Sequence, residues 1–268
     1  MASPKFWTLA ALDPDDPTGF ASHEVRLAQN HTESLLKHGL DAKFARLALV
    51  PEVLQSPMMV LRGWKRAGFD DALIYVGRPA RDFRNAQIET PPPQGMVFLV
   101  FVTPNGNISD WRWEKSDVET QTPRKIQNSM RGSLMADQSN ELIDFVTRQV
   151  PAGGFSPYCY YGTEEDALMF YFRNEADYAK RLNSRVTVYL SLDGNELLGC
   201  QIKGVRRVLE DIGNFDVTIE HGKVKLKLVF LAFLGTIDDD SPARELYLQL
   251  GKQAAETDVD VELPVFAG

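Results

Sequence analysis

The stretch MVFLVFV-TPNGN-ISDWRWE, residues 96–114, decides the fold of the first half of this chain. Residues 96–102 form an unbroken run of β-branched, aromatic and aliphatic side chains that is typical of a buried strand. Residues 110–114 alternate between charged and aromatic side chains, which is the period of a second strand. The Asn105-Gly106 pair between the two runs readily supplies the positive backbone angles of a tight turn. The sequence therefore predicts an antiparallel hairpin.

The alternation in the second strand also predicts which side chains face the core. Trp111 and Trp113 fall on one face of the strand, and Asp110, Arg112 and Glu114 fall on the other. Burying the tryptophans and leaving the charges in water is the arrangement of lower free energy. We therefore expect both tryptophans in the core and Arg112 on the outer surface.

The residues before the hairpin predict two further strands and a helical block. Apolar runs bounded by Gly, Pro and Asp indicate strands at 58–61 and 72–76. Upstream, helical spacing predicts one helix over 21–38, or two short helices broken near Asn30, and a second helix over 41–48. The first half thus combines helices with an antiparallel sheet.

The strongest linker signature is the stretch PAGGFSP, residues 151–157, which follows a predicted helix over 137–149. Beyond it, strands are predicted at 158–161, 166–172, 185–192, 196–203, 215–220 and 223–233, and helices at 175–182, 205–212 and 242–255. We therefore expect an α+β protein of two domains, each with helices packed on a mainly antiparallel sheet. The domains are residues 1–134 and 158–268, joined by a connector over 135–157.

Composition places the chain among ordinary globular proteins. Its 268 residues are 44% hydrophobic and 25% charged, and no run approaches the roughly 18 apolar residues of a membrane span. The N-terminus lacks the pattern of a signal peptide, and the two cysteines, Cys159 and Cys200, are too few for a disulfide framework. We therefore expect a cytoplasmic protein with no membrane partner.

The net charge of −8 lies almost wholly in the second half. Residues 1–134 hold 16 Lys and Arg against 15 Asp and Glu, whereas residues 135–268 hold 13 against 22. An acidic half repels nucleic acid or imitates it, whereas a neutral half can still present a local basic face. An acidic surface that only keeps the protein soluble explains the same counts.

No sequence motif indicates a cofactor or a metal. The chain lacks a phosphate-binding loop, a dinucleotide-binding glycine fingerprint, a nucleophile elbow and a His-Glu-x-x-His zinc motif. The run Asp238-Asp239-Asp240 offers carboxylates, but consecutive aspartates are more typical of a solvated turn. We therefore expect no cofactor and no metal site.

The first half nevertheless carries groups that could act on RNA. Cleaving RNA without a metal needs a base near the 2′-hydroxyl, an acid near the leaving oxygen and cations around the phosphate. Ordinary surface charge, offset by neighbouring carboxylates, explains the same residues without catalysis. The groups are three histidines, His23, His31 and His38, and three basic clusters, namely Arg62, Lys65 and Arg66, then Arg78, Arg81 and Arg84, and finally Arg112.

Five segments of residues 21–115 follow one another in a characteristic order. They are a predicted helix with Ser22-His23 and Arg26, VPEVLQSP at 50–57, LIYVGR at 73–78, VFLVFV at 97–102 and WRW at 111–113. This order resembles the small toxin nucleases of the barnase, colicin and RelE-like superfamily. The sequence departs from their common pattern by an insertion through Pro91-Pro92-Pro93 and by lacking a clear Arg-x-x-Arg pair after His23.

This resemblance implies that the first domain is a metal-independent ribonuclease, or the remains of one. The expected catalytic residues are His23 for proton transfer, with Arg26, Arg66, Arg78 and Arg112 to bind the phosphate. A structural role for His23, capping its helix, is the alternative. Convergence of the arginines near His23 favours the enzyme, and their dispersal favours a binding protein.

The second half contains a run of four segments: YYGTEEDALMFYF at 160–172, the predicted strand at 186–192, the turn Asp193-Gly194-Asn195 and LLGCQI at 197–202. In these segments the second half is similar to a small family of unknown function. Members often sit beside toxin nucleases of the first type, and some are regarded as their antitoxins.

Together the resemblances imply a fused toxin–antitoxin-like protein, in which the acidic second domain masks a ribonuclease in the first. The expected partners are RNA for the first domain and the other domain within the same chain. The alternative is a non-catalytic interaction or regulatory protein that binds another chain or a second copy of itself through exposed strand edges. A regulator that binds a small molecule is a third interpretation.

Overall fold

The computed structural model describes residues 6–11, 24–64, 69–115, 125–126, 133–134, 136–149, 155–162, 166–183, 185–192, 196–206, 223–234 and 242–262. It confirms the predicted α+β class. The helices are α1 Gln29–Lys37, α2 Asp41–Ala45, α3 Val50–Gln55, α4 Ala136–Arg148, α5 Leu226–Leu234 and α6 Pro242–Thr257, with a 3-10 turn Arg46–Leu49 between α2 and α3. Among the described residues, no helix is long and apolar enough to cross a membrane.

Seventeen strands accompany these helices in the described residues. They are β1 Phe6–Ala11, β2 Glu24–Ala28, β3 Met59–Trp64, β4 Phe69–Gly77, β5 Asp82–Asn85, β6 Ile88–Thr90, β7 Met96–Val102, β8 Ile108–Lys115, β9 Lys125–Ile126, β10 Ser133–Leu134, β11 Tyr158–Gly162, β12 Ala167–Tyr171, β13 Asp177–Arg181, β14 Val186–Ser191, β15 Leu197–Lys203, β16 Lys223–Lys225 and β17 Asp260–Glu262.

One ten-stranded sheet organises the fold, in the order β11-β12-β15-β14-β13-β8-β7-β4-β3-β9. Its first five strands come from the second half of the chain and its last five from the first half. All neighbouring strands pair antiparallel except β13 and β8, which pair in parallel at Ala179 and Glu114. We call this junction the seam. The smaller sheets are β10-β1-β2, β5-β6 and β16-β17.

The predicted hairpin is confirmed as β7 and β8, with Val100 opposite Trp111. Gly106 in its turn has a φ of 80°, which a residue with a side chain adopts only at a cost. Trp111 and Trp113 are fully buried, as predicted. The expectation that Arg112 faces water is wrong, since its side chain is only 2% exposed. The reason is that β8 is an interior strand of the ten-stranded sheet, and both of its faces are covered.

Apolar residues cover the two faces of the hairpin alternately. Phe98 and Val100 belong to the main core, which runs through both halves of the chain. The other alternating residues of β7, Val97, Leu99 and Phe101, belong to a second, smaller core on the opposite face. That smaller core consists of Leu61, Ala72, Ile74, Val76, Val97, Leu99 and Phe101. Arg112 lies on this second face, where its guanidinium sits 4.5 Å from the centre of the Phe101 ring.

The seam contains an element that the sequence predicts wrongly. Residues 175–182 have good helix-forming side chains, but residues 177–181 are strand β13. This strand pairs with β14 on one side and with β8 on the other. Pairing on both sides overrides the local preference, because the context of a residue outweighs its weak intrinsic propensity.

Two other predictions are wrong. Residues 24–28 form a strand rather than the start of a helix, with Val25 and Leu27 buried at period two. The apolar run at 223–233 is a short strand followed by helix α5, because a short apolar run does not distinguish strand from helix. Six further strands have no counterpart in the sequence prediction, namely β1, β5, β6, β9, β10 and β17. The predicted strand at 215–220 and most of the helix at 205–212 lie outside the described residues.

The predicted domain boundary, within residues 131–157, lies between the strands that the first half and the second half contribute to the ten-stranded sheet. Each half contributes five strands to that sheet and helices that pack on it. The main core also passes from one half to the other. The division into two separable domains stays a prediction.

Gly199 in β15 lies where the backbone of β12 approaches too closely for any side chain. A Cβ added there would lie 2.2 Å from the Phe170 carbonyl oxygen. We predict that Gly199→Ala lowers the free energy of unfolding by about 3 kcal/mol, because two paired strands must separate to admit the methyl group. Urea denaturation measures the loss. Gly251→Ala is the control, since its methyl would meet Phe230 at an ordinary 3.7 Å. Equal stability of the two variants would contradict the prediction.

Candidate functional site

Eight charged side chains gather beside the seam, and we call them the seam cluster. They are Lys43, Arg46, Asp82, Asp110, Arg112, Glu114, Asp177 and Arg181. Four are cations and four are carboxylates, so the formal charges cancel. All except Arg181 are buried. Buried charges of this kind are tolerated when each is paired and hydrogen-bonded.

Arg112 is the centre of the part of the cluster that lies on β8. It donates from Nη1 to Asp110 Oδ2 at 2.8 Å and from Nη2 to Glu114 Oε1 at 2.5 Å. A further bond runs from Nη1 to Gln201 Oε1 at 3.2 Å, and Gln201 belongs to the second half of the chain. Burial would lower the pKa of Arg112, but Glu114 and Asp110 raise it above its ordinary value. Arg112 therefore stays charged and enclosed.

Arg46 forms a second centre that joins the two halves directly. Its Nε and Nη2 donate to the two carboxylate oxygens of Asp82, at 2.9 and 3.0 Å. Its Nη1 donates to Asp177 on β13, at 2.5 Å to Oδ1 and 3.1 Å to the backbone oxygen. Tyr171 donates its hydroxyl hydrogen to the other Asp177 oxygen at 2.8 Å. A guanidinium of the first half thus forms a two-bonded pair with a carboxylate of its own half and a further ion pair with a carboxylate of the second half.

Lys43 links helix α2 to strand β8. Its ammonium donates to Asp110 Oδ1 at 2.5 Å and to the carbonyl oxygen of Trp111. The Trp111 indole N–H donates in turn to the Lys43 carbonyl oxygen at 2.9 Å. Burial would raise the pKa of Asp110, but Lys43 and Arg112 outweigh burial and hold it below its usual range. These contacts fix the helix on the sheet.

His31 lies beside this link and is buried between two aromatic rings. Its ring centre is 4.7 Å from that of Tyr160 and 5.3 Å from that of Trp111. Nε2 has no hydrogen-bond partner among the described residues. Burial, followed by the charge of Lys43, lowers its pKa to about 4. His31 is therefore neutral in the folded protein at pH 7.

The lowered pKa of His31 predicts a loss of stability in acid. The unfolded chain binds a proton near pH 6.5 and the folded chain does so only near 4, so stability falls as the pH drops through that window. We expect His31 to contribute about 2 kcal/mol to the loss between pH 7 and pH 5. Urea denaturation of His31→Phe should show a smaller loss than that of the natural protein, by this amount. The same pH dependence in both proteins would contradict the prediction.

The expected catalytic residues do not form one group in the described part of the chain. Arg26 donates to the Asn105 carbonyl oxygen at 3.1 Å and lies over the Phe6 ring, at the hairpin turn. Arg78 is exposed at the end of β4, and Arg112 is enclosed at the seam. These three arginines have separate surroundings. His23 and Arg66 lie outside the described residues, as does the side chain of Arg62.

Sequence reasoning missed the cluster residues that are not on the hairpin. One signal could have found two of them, because Lys43 and Arg46 interrupt the otherwise apolar stretch AKFARLALV, residues 42–50. Charges three residues apart on a buried helix require partners. No comparable signal marks Asp82 or Asp177, which lie in polar surroundings in the sequence.

A second candidate site is a groove between helices α5 and α6, with a volume of about 240 Å³. We call it the α5–α6 groove. Two of its leucines are unusually exposed, Leu231 at 63% and Leu248 at 49%. Among the described residues, its charged lining residues are Lys227 and Lys252. Its large apolar lining residues are Phe230, Leu231, Leu234, Tyr247 and Leu248.

The fold and these two sites define an α+β protein whose halves share one sheet through a buried charge cluster. Comparisons with protein-family models, curated proteins and solved structures give no match. In the described ranges, no three His, Cys, Asp or Glu side chains lie close enough together to hold a metal ion.

Proposed function

We propose that the protein is a non-catalytic protein-binding protein and that the α5–α6 groove is its binding surface. The exposure of Leu231 and Leu248 is the observation that carries this proposal. Helix α5 has a single charged residue among nine, and a helix that is apolar on nearly all sides is normally covered on all sides. An exposed apolar groove marks a surface that another molecule covers.

The contacts of two expected catalytic arginines support the same proposal. Arg112 is enclosed by the carboxylates of Asp110 and Glu114, so its charge is not open to a phosphate in this fold. Arg26 supports the turn of the hairpin. Both side chains therefore stabilise the fold, and structural roles for them are what we expect in a binding protein that does not cleave RNA. We further propose a cytoplasmic location, where the free Cys159 and Cys200 would stay reduced.

A peptide selection on the full chain tests the proposed surface. Peptides of about 15 residues, long enough to form a helix, are displayed as a random library and selected on the immobilised protein. We expect the enriched peptides to lose at least about tenfold in affinity for Leu231→Asp combined with Leu248→Asp, because charge enters the apolar contact. The matched control is Ile88→Asp, which changes a leucine-sized side chain that is 47% exposed on β6.

Each variant changes exposed residues, so its free energy of unfolding should stay within about 1 kcal/mol of that of the natural chain. Circular dichroism and urea denaturation confirm this before binding is compared. Enriched peptides that bind all three proteins equally would contradict the proposed surface. A selection that enriches no peptide would contradict it as well.

A ribonuclease in the first half, masked by the second, is a second candidate function, and one contact favours it. Asp177 of the acidic half binds Arg46 of the first half, as an inhibitor carboxylate would bind a phosphate-binding cation. RNA would then be the substrate. The test is to incubate RNA and chelator with the chain before and after proteolytic nicking within 131–157. Cleavage that appears on nicking and is lost in His23→Ala supports this function, and intact RNA in both samples contradicts it.

A further inference from the structure

The two helices that form the α5–α6 groove run antiparallel. The start of α5 and the end of α6 therefore lie at one end of the groove, and the end of α5 and the start of α6 lie at the other. Strand β16 leads directly into α5, and β17 follows shortly after α6. These strands pair with each other, Lys223 opposite Glu262 and Lys225 opposite Asp260. The start of α5 and the end of α6 consequently meet at this strand pair.

Both charged lining residues lie toward the strand-pair end of the groove. Lys227 is the second residue of α5, and Lys252 is one turn and a half from the end of α6. Leu234 and Leu248 lie toward the opposite end. The groove thus offers two ammonium groups at one end and apolar side chains along its length, and the part of its lining that the structure describes holds no carboxylate.

Carboxylates near the basic end do not cancel these two lysines in the groove. Lys252 makes a long, exposed contact of 3.9 Å with Glu256, and such a pair contributes little. Asp258 and Asp260 are held by Lys225, at 3.1 and 2.9 Å. An incoming carboxylate can therefore approach Lys227 and Lys252 without displacing a strong ion pair.

On the basis of the proposed function, we infer that the partner presents an amphipathic helix with Asp or Glu at one end of its apolar stripe. Each wall of the groove is itself a helix face of about two turns, for example Lys227 to Leu234, which spans about 10 Å. A third helix packs on such a pair with apolar residues at i, i+3, i+4 and i+7. Its carboxylates then meet Lys227 and Lys252.

Two other occupants fit the groove less well. A volume of about 240 Å³ lies below the range of about 300–1,000 Å³ for small-molecule sites. A second copy of this chain, placed groove to groove, would present a lining that again holds two lysines and, among the described residues, no carboxylate. Neither pair of lysines would then gain an opposite charge from the partner's groove. The acidic helix remains the occupant that satisfies both the apolar and the charged lining.

The experiment uses two synthetic helical peptides that share one leucine stripe and differ only in two residues at one end, Glu in the first and Lys in the second. Fluorescence anisotropy measures the binding of each to the full chain. We expect the Glu peptide to bind about tenfold more tightly, and added salt to reduce the difference. In Lys227→Glu combined with Lys252→Glu, the order of the two affinities should reverse. Matched variants of Arg81 and Arg148, both exposed elsewhere, should leave it unchanged.

The outcomes separate this inference from the proposed function. Equal binding of the two peptides, lost in Leu231→Asp, would overturn the acidic helix and leave the binding surface in place. An unchanged order of affinities in the lysine variant would overturn the acidic helix in the same way. No binding of either peptide to the natural chain would overturn both.

Discussion

Replacing Arg46 by leucine should lower the free energy of unfolding by about 3–5 kcal/mol. The substitution removes a guanidinium that holds the Asp82 carboxylate through two bonds and Asp177 through two more, one of them to its carboxylate. Both carboxylates would remain buried without their cation, and an unpaired buried charge costs several kcal/mol. Because Asp177 belongs to the other half of the chain, the substitution should weaken the contact between the two halves at the seam as well as the packing within the first half. Urea denaturation followed by tryptophan fluorescence measures it.

The control for this prediction is an arginine that forms a similar pair in water. Arg81 contacts Glu89 at 3.3 Å, and both side chains are well exposed. Arg81→Leu should change stability by less than about 1 kcal/mol, because exposed ion pairs contribute little. Adding Asp177→Asn to Arg46→Leu should recover part of the loss, since a neutral amide is cheaper to leave unpaired. Equal losses in the two arginine variants would show that the seam cluster does not stabilise the fold.

The elements that the sequence predicts correctly are those with local partners. The hairpin of β7 and β8 needs only two adjacent runs and a turn between them, and all three are visible in residues 96–114. Strands β14 and β15 are also neighbours in the sequence and in the sheet. In each case the period of the side chains and the turn residues point to the same answer.

The seam could not be predicted because its partners are distant in the chain. Strand β13 pairs with β8 across the whole connector, and no local pattern records that contact. The period-two alternation correctly predicts that Asp110, Arg112 and Glu114 share one face of β8. It does not show whether that face contacts water or protein. Gln201 from the second half and Lys43 from the helical block both reach that face and help to make it an interior.

The resemblance in the second half includes the motif Asp166-Ala167-Leu168, and Asp166 has a local structural role there. Asp166 has a φ of 46°, and its backbone oxygen accepts the N–H of Gly204 at 2.8 Å. Its carboxylate accepts the Tyr161 hydroxyl and the Arg206 N–H, each at 2.7 Å. The residue therefore ties the start of β12 to the end of β15. Such a tie explains the motif by architecture and leaves the antitoxin relationship as a proposal.

The α5–α6 groove is the candidate site that the sequence predicts least well. The run LKLVFLAFL, residues 226–234, predicts burial for almost every side chain, whichever element it forms. The exposure of Leu231 depends on which face of α5 packs against α6, and the sequence of α5 alone does not determine that packing. Hydrophobic patterning thus predicts helix α6 and an apolar element before it, but it assigns that element to a strand and does not show which face of α5 stays open.

Replacing Trp111 by alanine should lower the free energy of unfolding by about 3–5 kcal/mol, and Trp113→Ala should cost a similar amount. Both indoles are fully buried in the main core. Phenylalanine variants separate volume from hydrogen bonding, because the Trp111 N–H donates to the Lys43 carbonyl at 2.9 Å. The Trp113 N–H has no partner in the described part of the chain.

Trp111→Phe should therefore cost about 1 kcal/mol more than Trp113→Phe, the net contribution of one buried hydrogen bond together with a carbonyl left unsatisfied. Urea denaturation followed by circular dichroism measures both variants without relying on the fluorescence of the replaced ring. A larger loss in Trp113→Phe than in Trp111→Phe would contradict the hydrogen bond to Lys43. Alanine variants as stable as the natural chain would contradict the burial of this face. In that case Trp111 would not hold helix α2 on strand β8, and the position of Lys43 beside Asp110 would depend on other contacts.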